Sequence, residues 1–262
     1  MRTTLRWDGA GYHRVATVQE AWGRRVLQRI PRGEFRRILD AGCGSGRLTA
    51  HLLREFPRAQ VVGLDRSAEM LEQAERALRR FSRRLRLVQA DLLTAQPGSD
   101  FDLVFSNATF HWVLNHERLF RNVYSWLAPG GLLVAQCGGQ GNLRRIERLI
   151  SRLANRREFR SRLSGFRRPV YYAGPSETKS RLDEAHFSDI EVWLHDEPTP
   201  FPSRAAFAEF IRHVICVPNL SRLNDPALED LYLDEFLRLY ERVFGSKYLL
   251  DYVRLNLQAR KP

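Results

Sequence analysis

The stretch Ile38-Leu39-Asp40-Ala41-Gly42-Cys43-Gly44-Ser45-Gly46-Arg47-Leu48-Thr49 decides the fold. It opens apolar, is broken by three glycines at alternate positions, and continues into an amphipathic run, so it reads as strand, tight turn and helix. Glycines in such a turn let the backbone approach a ligand closely at a helix N-terminus. Three ligand classes compete for it. A phosphate-cradling P-loop needs G-x-x-x-x-G-K-[ST], and the chain has no such string. A dinucleotide fingerprint needs G-x-G-x-x-G; Gly42 and Gly44 fit, but the third glycine falls on Arg47. The third reading is a D-x-G-x-G-x-G turn from Asp40 to Gly46, whose ligand carries no pyrophosphate and needs room for an amino acid and a nucleoside.

Outward from this turn, strand-like and helix-like periodicities alternate. Upstream, residues 14–29 place Val15, Val18, Trp22 and Val26 on one helical face. Residues 36–42 predict the first strand and 46–56 its helix; 60–65 predict a second strand. Ser67 is a good N-cap for a helix over 68–81 with an apolar stripe of Met70, Leu71, Ala74 and Leu78. Strands follow at 84–91 and 101–107, then a helix over 116–127 stopped by Pro129-Gly130-Gly131, then a strand over 132–137. Such alternation implies a parallel sheet with helices on both faces. Beyond Cys137 the pattern changes. Residues 142–163 predict an amphipathic helix, 189–195 a strand, and Pro202 to Gly245 two helices, the first capped by Ser203 and the second opening at Asp225-Pro226. Residues 252–260 predict the last strand. One α/β domain with helical insertions above the carboxyl ends of its strands accounts for this order.

Composition narrows the class. At 262 residues, 44% hydrophobic and 27% charged, the chain has ample material for a core. No apolar run reaches the roughly 18 residues a membrane helix needs, and the first residues lack a secretory apolar region. Cys43, Cys137 and Cys216 are too few and scattered for a disulfide framework or a zinc ribbon, so no metal is expected. The expectation is a soluble, cytoplasmic protein. Its net charge of +12 is almost wholly arginine, 39 Arg to 3 Lys. Residues 1–194 carry 33 basic and 20 acidic side chains, whereas 195–262 carry 9 and 10. Arg76 to Arg86 form one cluster, and ten arginines between Arg144 and Arg168 form another. Such clusters are ordinarily solvated surface; arginine also clamps carboxylates and phosphates bidentately.

The set of motifs resembles the class I methyltransferases that use S-adenosylmethionine (SAM). Residues 38–49 resemble their glycine motif, and 61–67 (VVGLDRS) the segment whose Asp65 accepts hydrogen bonds from the ribose diol. Residues 88–93 (VQADLL) resemble the adenine segment, with Asp91 taking the exocyclic amine and Leu92 nearby, and 127–134 (LAPGGLLV) the turn before strand five. More narrowly, Trp7, Tyr12, Gln19 and Trp22, with residues 105–120 and 199–214, resemble the trans-aconitate and malonyl-carrier-protein O-methyltransferase group. The resemblance implies a Rossmann-like, seven-stranded, mostly parallel sheet whose last strand is antiparallel, with helices on both faces and helical lid insertions. It divides the chain into a cofactor-covering helical segment (1–30), the SAM-binding core (31–137), and lid helices with the last two strands (138–262). It implies cofactor contacts from Tyr12, Gln19, Asp40, Gly42, Cys43, Gly44, Gly46, Asp65, Arg66, Met70, Asp91, Leu92, Asn107 and Ala108. S-adenosylhomocysteine (SAH) is the product.

The acceptor side is read from fewer residues. His111, just past a strand end where such a sheet has its crevice, is the candidate catalytic group, as a general base or as a positioning donor; the alternative is that the His111-Trp112 pair simply packs under a lid. A carboxylate acceptor needs no base; a phenol, alcohol or amine does. Trp112, Arg144, Arg145, Tyr171 and Tyr172 are candidates to border an anionic small acceptor; the alternative for the arginines is plain solvent exposure, with Leu149 and Leu153 facing inward. The expected activity is O-methylation of a small organic acid. Two other classes stay open: methylation of RNA or another macromolecule, and a SAM-fold protein that binds without turnover. No RNA-binding module is recognisable, and SNATFHW (106–112) stands where many amino-group methyltransferases carry N/D-P-P-[YF], so no nucleic-acid partner is expected. The oligomeric state is not legible.

Overall fold

The computed structural model describes residues 8–15 and 17–262, the side chains of 14–19 excepted. Seven strands, β1 (Arg37–Ala41), β2 (Gln60–Asp65), β3 (Leu85–Gln89), β4 (Phe101–Asn107), β5 (Leu127–Gly138), β6 (Ser188–Pro200) and β7 (Leu249–Arg260), form one sheet in the order β3-β2-β1-β4-β5-β7-β6. Strands β1 to β5 pair in parallel, and β7 runs antiparallel to both β5 and β6. The mostly parallel sheet with an antiparallel last strand is therefore as expected.

Alternate residues of each strand face opposite layers, which is why the buried strands are apolar on both sides. Ile38 packs in the layer with Val26 and Leu27 of α2 (Thr17–Leu27), Leu52 and Leu53 of α3 (Arg47–Glu55), and Ala74 and Leu78 of α4 (Ala68–Leu78). Its neighbour Leu39 joins the opposite layer with Leu119, Phe120 and Val123 of α5 (His116–Trp126) and Leu182 of α8 (Pro175–Glu184). The Ser67 hydroxyl accepts the Met70 N–H and caps α4, a contact worth about 1 kcal/mol.

A third apolar cluster extends from Leu250 and Tyr252 of β7 and Trp22 of α2 into the inserted helices. It joins α6 (Arg144–Ala154), α7 (Arg160–Leu163), α9 (Arg204–Phe210), a π-helical stretch at Ile211–Ile215, α10 (Val217–Leu223) and α11 (Pro226–Phe244). The first two leave the sheet after β5, and the others connect β6 to β7. Because β6 runs parallel to β5, both insertions spring from the carboxyl edge that also carries the glycine turn.

Several boundaries differ from expectation. The helix expected over 142–163 is broken into α6 and α7; the Asn155 side chain donates to the Ser151 carbonyl at the break and so competes with helix propagation. The two helices expected between Pro202 and Gly245 are three and a π-helical stretch, because Pro218 lacks the N–H that would continue α9 and instead sits in the first turn of α10. Helix α4 ends at Leu78 and passes into a 3-10 turn at Arg79–Phe81. Helix α8 is additional; only Thr178 and Leu182 within it are buried, too few to leave a clear stripe in the sequence. Among the described residues no helix is long and apolar enough to cross a membrane.

Candidate functional site

The glycine turn is latched onto the end of β2: the N–H groups of Gly42 and Cys43 both donate to the Leu64 carbonyl, at 2.7 and 3.0 Å. Gly42 has φ +87°, and a Cβ there would overlap the Thr109 side chain, whose hydroxyl donates to the Gly42 carbonyl at 3.2 Å. Gly44 has φ +52°, and no atom lies within 4 Å of where its Cβ would stand. The space over the turn is open at that point. Gly46 caps α3, and a methyl there would stand 2.7 Å from Leu78 Cδ1, so its absence lets α3 and α4 close together. Cys43 lies buried beneath the turn, and burial holds its thiol protonated, far from a nucleophile.

Two carboxylates flank the turn. Asp40, at the end of β1 and 2% exposed, accepts the Thr49 hydroxyl at 2.7 Å. Burial, with the nearby Asp65 charge in support, raises its pKa to about 7 against the pull of the Thr49 bond. Asp65 ends β2; one oxygen accepts the Gly44 N–H and the other the Ser67 N–H, both at 2.9 Å. Burial raises its pKa too, and those N–H groups oppose the rise. An open glycine cradle beside two desolvated acids fits SAM, which brings an ammonium, a sulfonium and a ribose diol of hydrogen-bond donors. Around them, Met70 is buried, Leu92 is buried, Asp91 is exposed with one oxygen accepting the Leu93 N–H at 2.8 Å, and Arg66 is exposed. Asn107 ends β4 and Ala108 follows it; Ala108 has φ +57° and donates its N–H to the Gln136 carbonyl. Tyr12 comes from α1 (Gly9–Val15), its hydroxyl raised to about 12 by burial and by Asp65. Gln19 lies in α2, but its side chain falls outside the described residues, as does Trp7.

Beside the turn, under the inserted helices, lies a cleft lined by Tyr12, Trp22, Ala108, His111, Trp112, Tyr172, Tyr252 and Arg254, with Asn142 and Arg168 at one wall. His111 stands on a 3-10 turn after β4. Its Nδ1 accepts the Gly138 N–H at 3.3 Å, which leaves the ring proton on Nε2. Burial, then the charge of Arg254, drives its pKa well below the ordinary value, so the ring is neutral. Tyr172 stacks on it with ring centres 5.9 Å apart.

Arg254 is the residue that sequence reasoning missed. It lies on β7, 2% exposed, with its guanidinium 4.6 Å above the Trp22 ring. Its Nε donates to Gln136 Oε1 at 3.2 Å, and one terminal nitrogen has no hydrogen-bond partner. Among the described residues it makes no ion pair. A signal was present: β7 lies inside the sheet between β5 and β6, yet Tyr252, Arg254 and Asn256 occupy one of its faces. A strand covered on both sides must give such polar groups partners within the protein.

Three expected acceptor residues do not reach the cleft. Arg144 and Arg145 are exposed, because α6 spends its inward face on Ile146, Leu149, Ile150 and Leu153. Arg145 lies over the Phe244 ring at 4.8 Å, and Arg144 lines a separate outer groove. Tyr171 points away from its neighbour Tyr172; its hydroxyl donates to Glu177 and accepts from Arg181, and its ring meets His116.

Residues 38–131 match the family model described as a methyltransferase domain. Over 98% of its length the chain is 31% identical to a trans-aconitate 2-methyltransferase of Deinococcus radiodurans, covering 99% of that protein. It is 33% identical to a trans-aconitate 2-methyltransferase of Streptomyces coelicolor, over 99% of this chain and 88% of the other. Among solved structures it is similar to phosphoethanolamine N-methyltransferase 2 of Haemonchus contortus in complex with S-adenosyl-L-methionine, with a TM-score of 0.57 and 19% identity. That match covers 92% of this chain but about half, 52%, of the other, and it speaks to the fold alone.

Proposed function

The chain belongs to the trans-aconitate 2-methyltransferase family of class I SAM-dependent methyltransferases, and from that premise we propose that it esterifies a carboxylate of a small polycarboxylic acid of the trans-aconitate kind. The observation that supports this reading is Arg254. A buried guanidinium that makes no ion pair among the described residues is compensated only in part by the Trp22 and Tyr252 rings and by Gln136, and a ligand anion would compensate it further. A carboxylate matches the planar donor fork of a guanidinium.

When bound, SAM would supply an electrophilic sulfonium methyl group for a carboxylate oxygen, with SAH as the leaving group. The residues of this chain then have to bind, align and exclude water. The glycine turn and Asp65 hold the nucleoside side, and Asp40 favours the positive charge of the cofactor. Arg254 binds an acceptor carboxylate with its open terminal nitrogen. His111, neutral and carrying its proton on Nε2, donates to a carboxylate oxygen rather than removing a proton; the acceptor, already an anion, has none to give. Trp112, Tyr172 and Tyr12 wall the cleft against water.

The test is turnover. SAH release with trans-aconitate and other di- and tricarboxylates, and a methyl ester detected by mass spectrometry, are the expected results. SAH release with amines or polynucleotides and none with carboxylic acids would overturn the reading.

A further inference from the structure

Of the ten arginines between Arg144 and Arg168, three form ion pairs and seven, among the described residues, do not; three of those seven share one face of α6. Arg156, Arg162 and Arg168 pair with Glu235, Asp225 and Glu147. Arg144, Arg148 and Arg152 have no ion-pair partner among the described residues, and all three are exposed on α6. Their spacing of four residues sets them about 6 Å apart along one helix face, where like charges repel and weaken the helix. Together with Ser151, Asn142 and Glu147 they line one outer groove.

That groove and the inner cleft share a wall. Asn142 lines both. Glu147 faces the groove, Arg168 faces the cleft, and the two form an ion pair. The Arg168 side chain is 7% exposed, donates to the Ile215 carbonyl at 2.6 Å, and keeps a buried Nε without a partner. A carboxylate belonging to the protein thus occupies a buried arginine at the boundary between an outer cationic groove and an inner cleft that carries a second buried arginine.

We propose that the Arg144–Arg148–Arg152 groove is the vestibule through which a carboxylate acceptor enters, and that an acceptor carboxylate displaces Glu147 from Arg168 as it passes into the cleft. This rests on the reading of the acceptor as a polycarboxylate. The groove concentrates anions at the mouth; the exchange at Arg168 swaps one carboxylate for another, so the buried guanidinium is never left uncompensated. Anions of other chemistry, phosphates included, gain from the groove, but only a carboxylate reproduces the partner Arg168 already has.

The experiment uses the full chain with SAM and a tricarboxylate acceptor, read as KM and kcat at several ionic strengths, with saturable binding of tricarballylate to the SAH-loaded protein as a turnover-free readout. Arg148→Glu/Arg152→Glu changes exposed side chains and leaves the fold intact. It is expected to raise acceptor KM about tenfold at low salt, with kcat and SAM affinity within twofold, and the gap is expected to close near 0.5 M salt because screening removes it. Glu147→Gln is expected to lower acceptor KM, since it removes the internal competitor. A double charge reversal with the KM of the parent, a defect that persists in high salt, or a Glu147→Gln variant with raised KM overturns the vestibule while leaving the polycarboxylate reading standing. A parent protein that neither methylates nor binds any carboxylate overturns both.

Discussion

Arg254 Nε donates to Gln136 Oε1 at 3.2 Å across the antiparallel pairing of β7 with β5. The same glutamine donates through Nε2 to Asn256 Oδ1 at 2.7 Å, and Asn256 also accepts from Arg29. One end of the Arg254 guanidinium is therefore held by a buried amide chain, and another nitrogen is left without a partner.

From this follows the first prediction. Arg254→Met keeps roughly the volume and removes a buried charge that has no ion-pair partner among the described residues, which offsets the loss of the donor to Gln136 Oε1. The melting temperature is expected to hold or rise, while kcat/KM for a carboxylate acceptor falls roughly ten- to a hundredfold, the loss of a charged hydrogen bond of about 1.5–3 kcal/mol. Thermal denaturation and kinetics on the same preparation check it; a destabilised variant with parental kinetics would give Arg254 a structural role instead.

His111 gives a prediction about pH. With its pKa driven well below the ordinary 6.5, the ring stays neutral through the physiological range. The kcat profile is expected to show no limb near pH 6.5, whereas a general base with an ordinary pKa would put one there. Because the folded-state pKa is depressed, the stability this group contributes is present above pH 6.5 and is lost as pH falls below it. His111→Gln, which can place an amide N–H near the Nε2 position, is expected to keep more activity than His111→Asn.

Asp40 titrates in a different window. Its pKa of about 7 in the protein, against an ordinary 3.8, means that the folded chain holds a proton the unfolded chain has lost. The stability from this group is full below pH 3.8 and is lost as pH rises towards 7. A cationic cofactor favours the ionised acid, so SAM is expected to bind more tightly as pH rises towards 7 and to release a proton on binding at pH 6. Calorimetry in two buffers of different ionisation enthalpy measures that proton, and Asp40→Asn should abolish it.

The glycines make a contrasting pair. Gly42→Ala sets a methyl group against the Thr109 side chain and is expected to destabilise the fold, visible as a lowered melting temperature. Gly44→Ala meets no atom, so the cost is only that of a left-handed residue, about 1–2 kcal/mol. Its methyl projects into the open space over the turn, and loss of SAM affinity in a folded protein is the expected outcome. Equal SAM affinity in Gly44→Ala and the parent would remove that glycine from the cofactor cradle.

Which parts of this were legible depends on sequence distance. Asp40, Gly42, Gly44 and Gly46 sit within seven residues, and backbone geometry alone requires small residues at such a turn, so a local string carries the information. Asp65 follows because the end of the next strand in a parallel sheet lies beside that turn. Arg254 stands more than two hundred residues from the turn; Tyr252, Arg254 and Asn256 mark one polar face of their strand, but only the sheet order shows that this face is covered. Tyr171 and Tyr172 show the same limit at close range. They are neighbours in sequence, yet one stacks on His111 and the other bonds Glu177, and only packing decides which.

The alternation of strands and helices, the glycine turn, the two acids beside it and the family are written locally in the chain, because each rests on short-range periodicity or a contiguous motif. Which arginines face the cleft beside the glycine turn is a matter of tertiary packing. Arg144 and Arg145 were the nearest in sequence to the strand-five end, but the apolar stripe of α6 turned them outward. Arg168 and Arg254 came inward because burial of β7 and the docking of the inserted helices against it left these cations inside. Charge counts record how many arginines a chain has; burial decides which of them lack a partner.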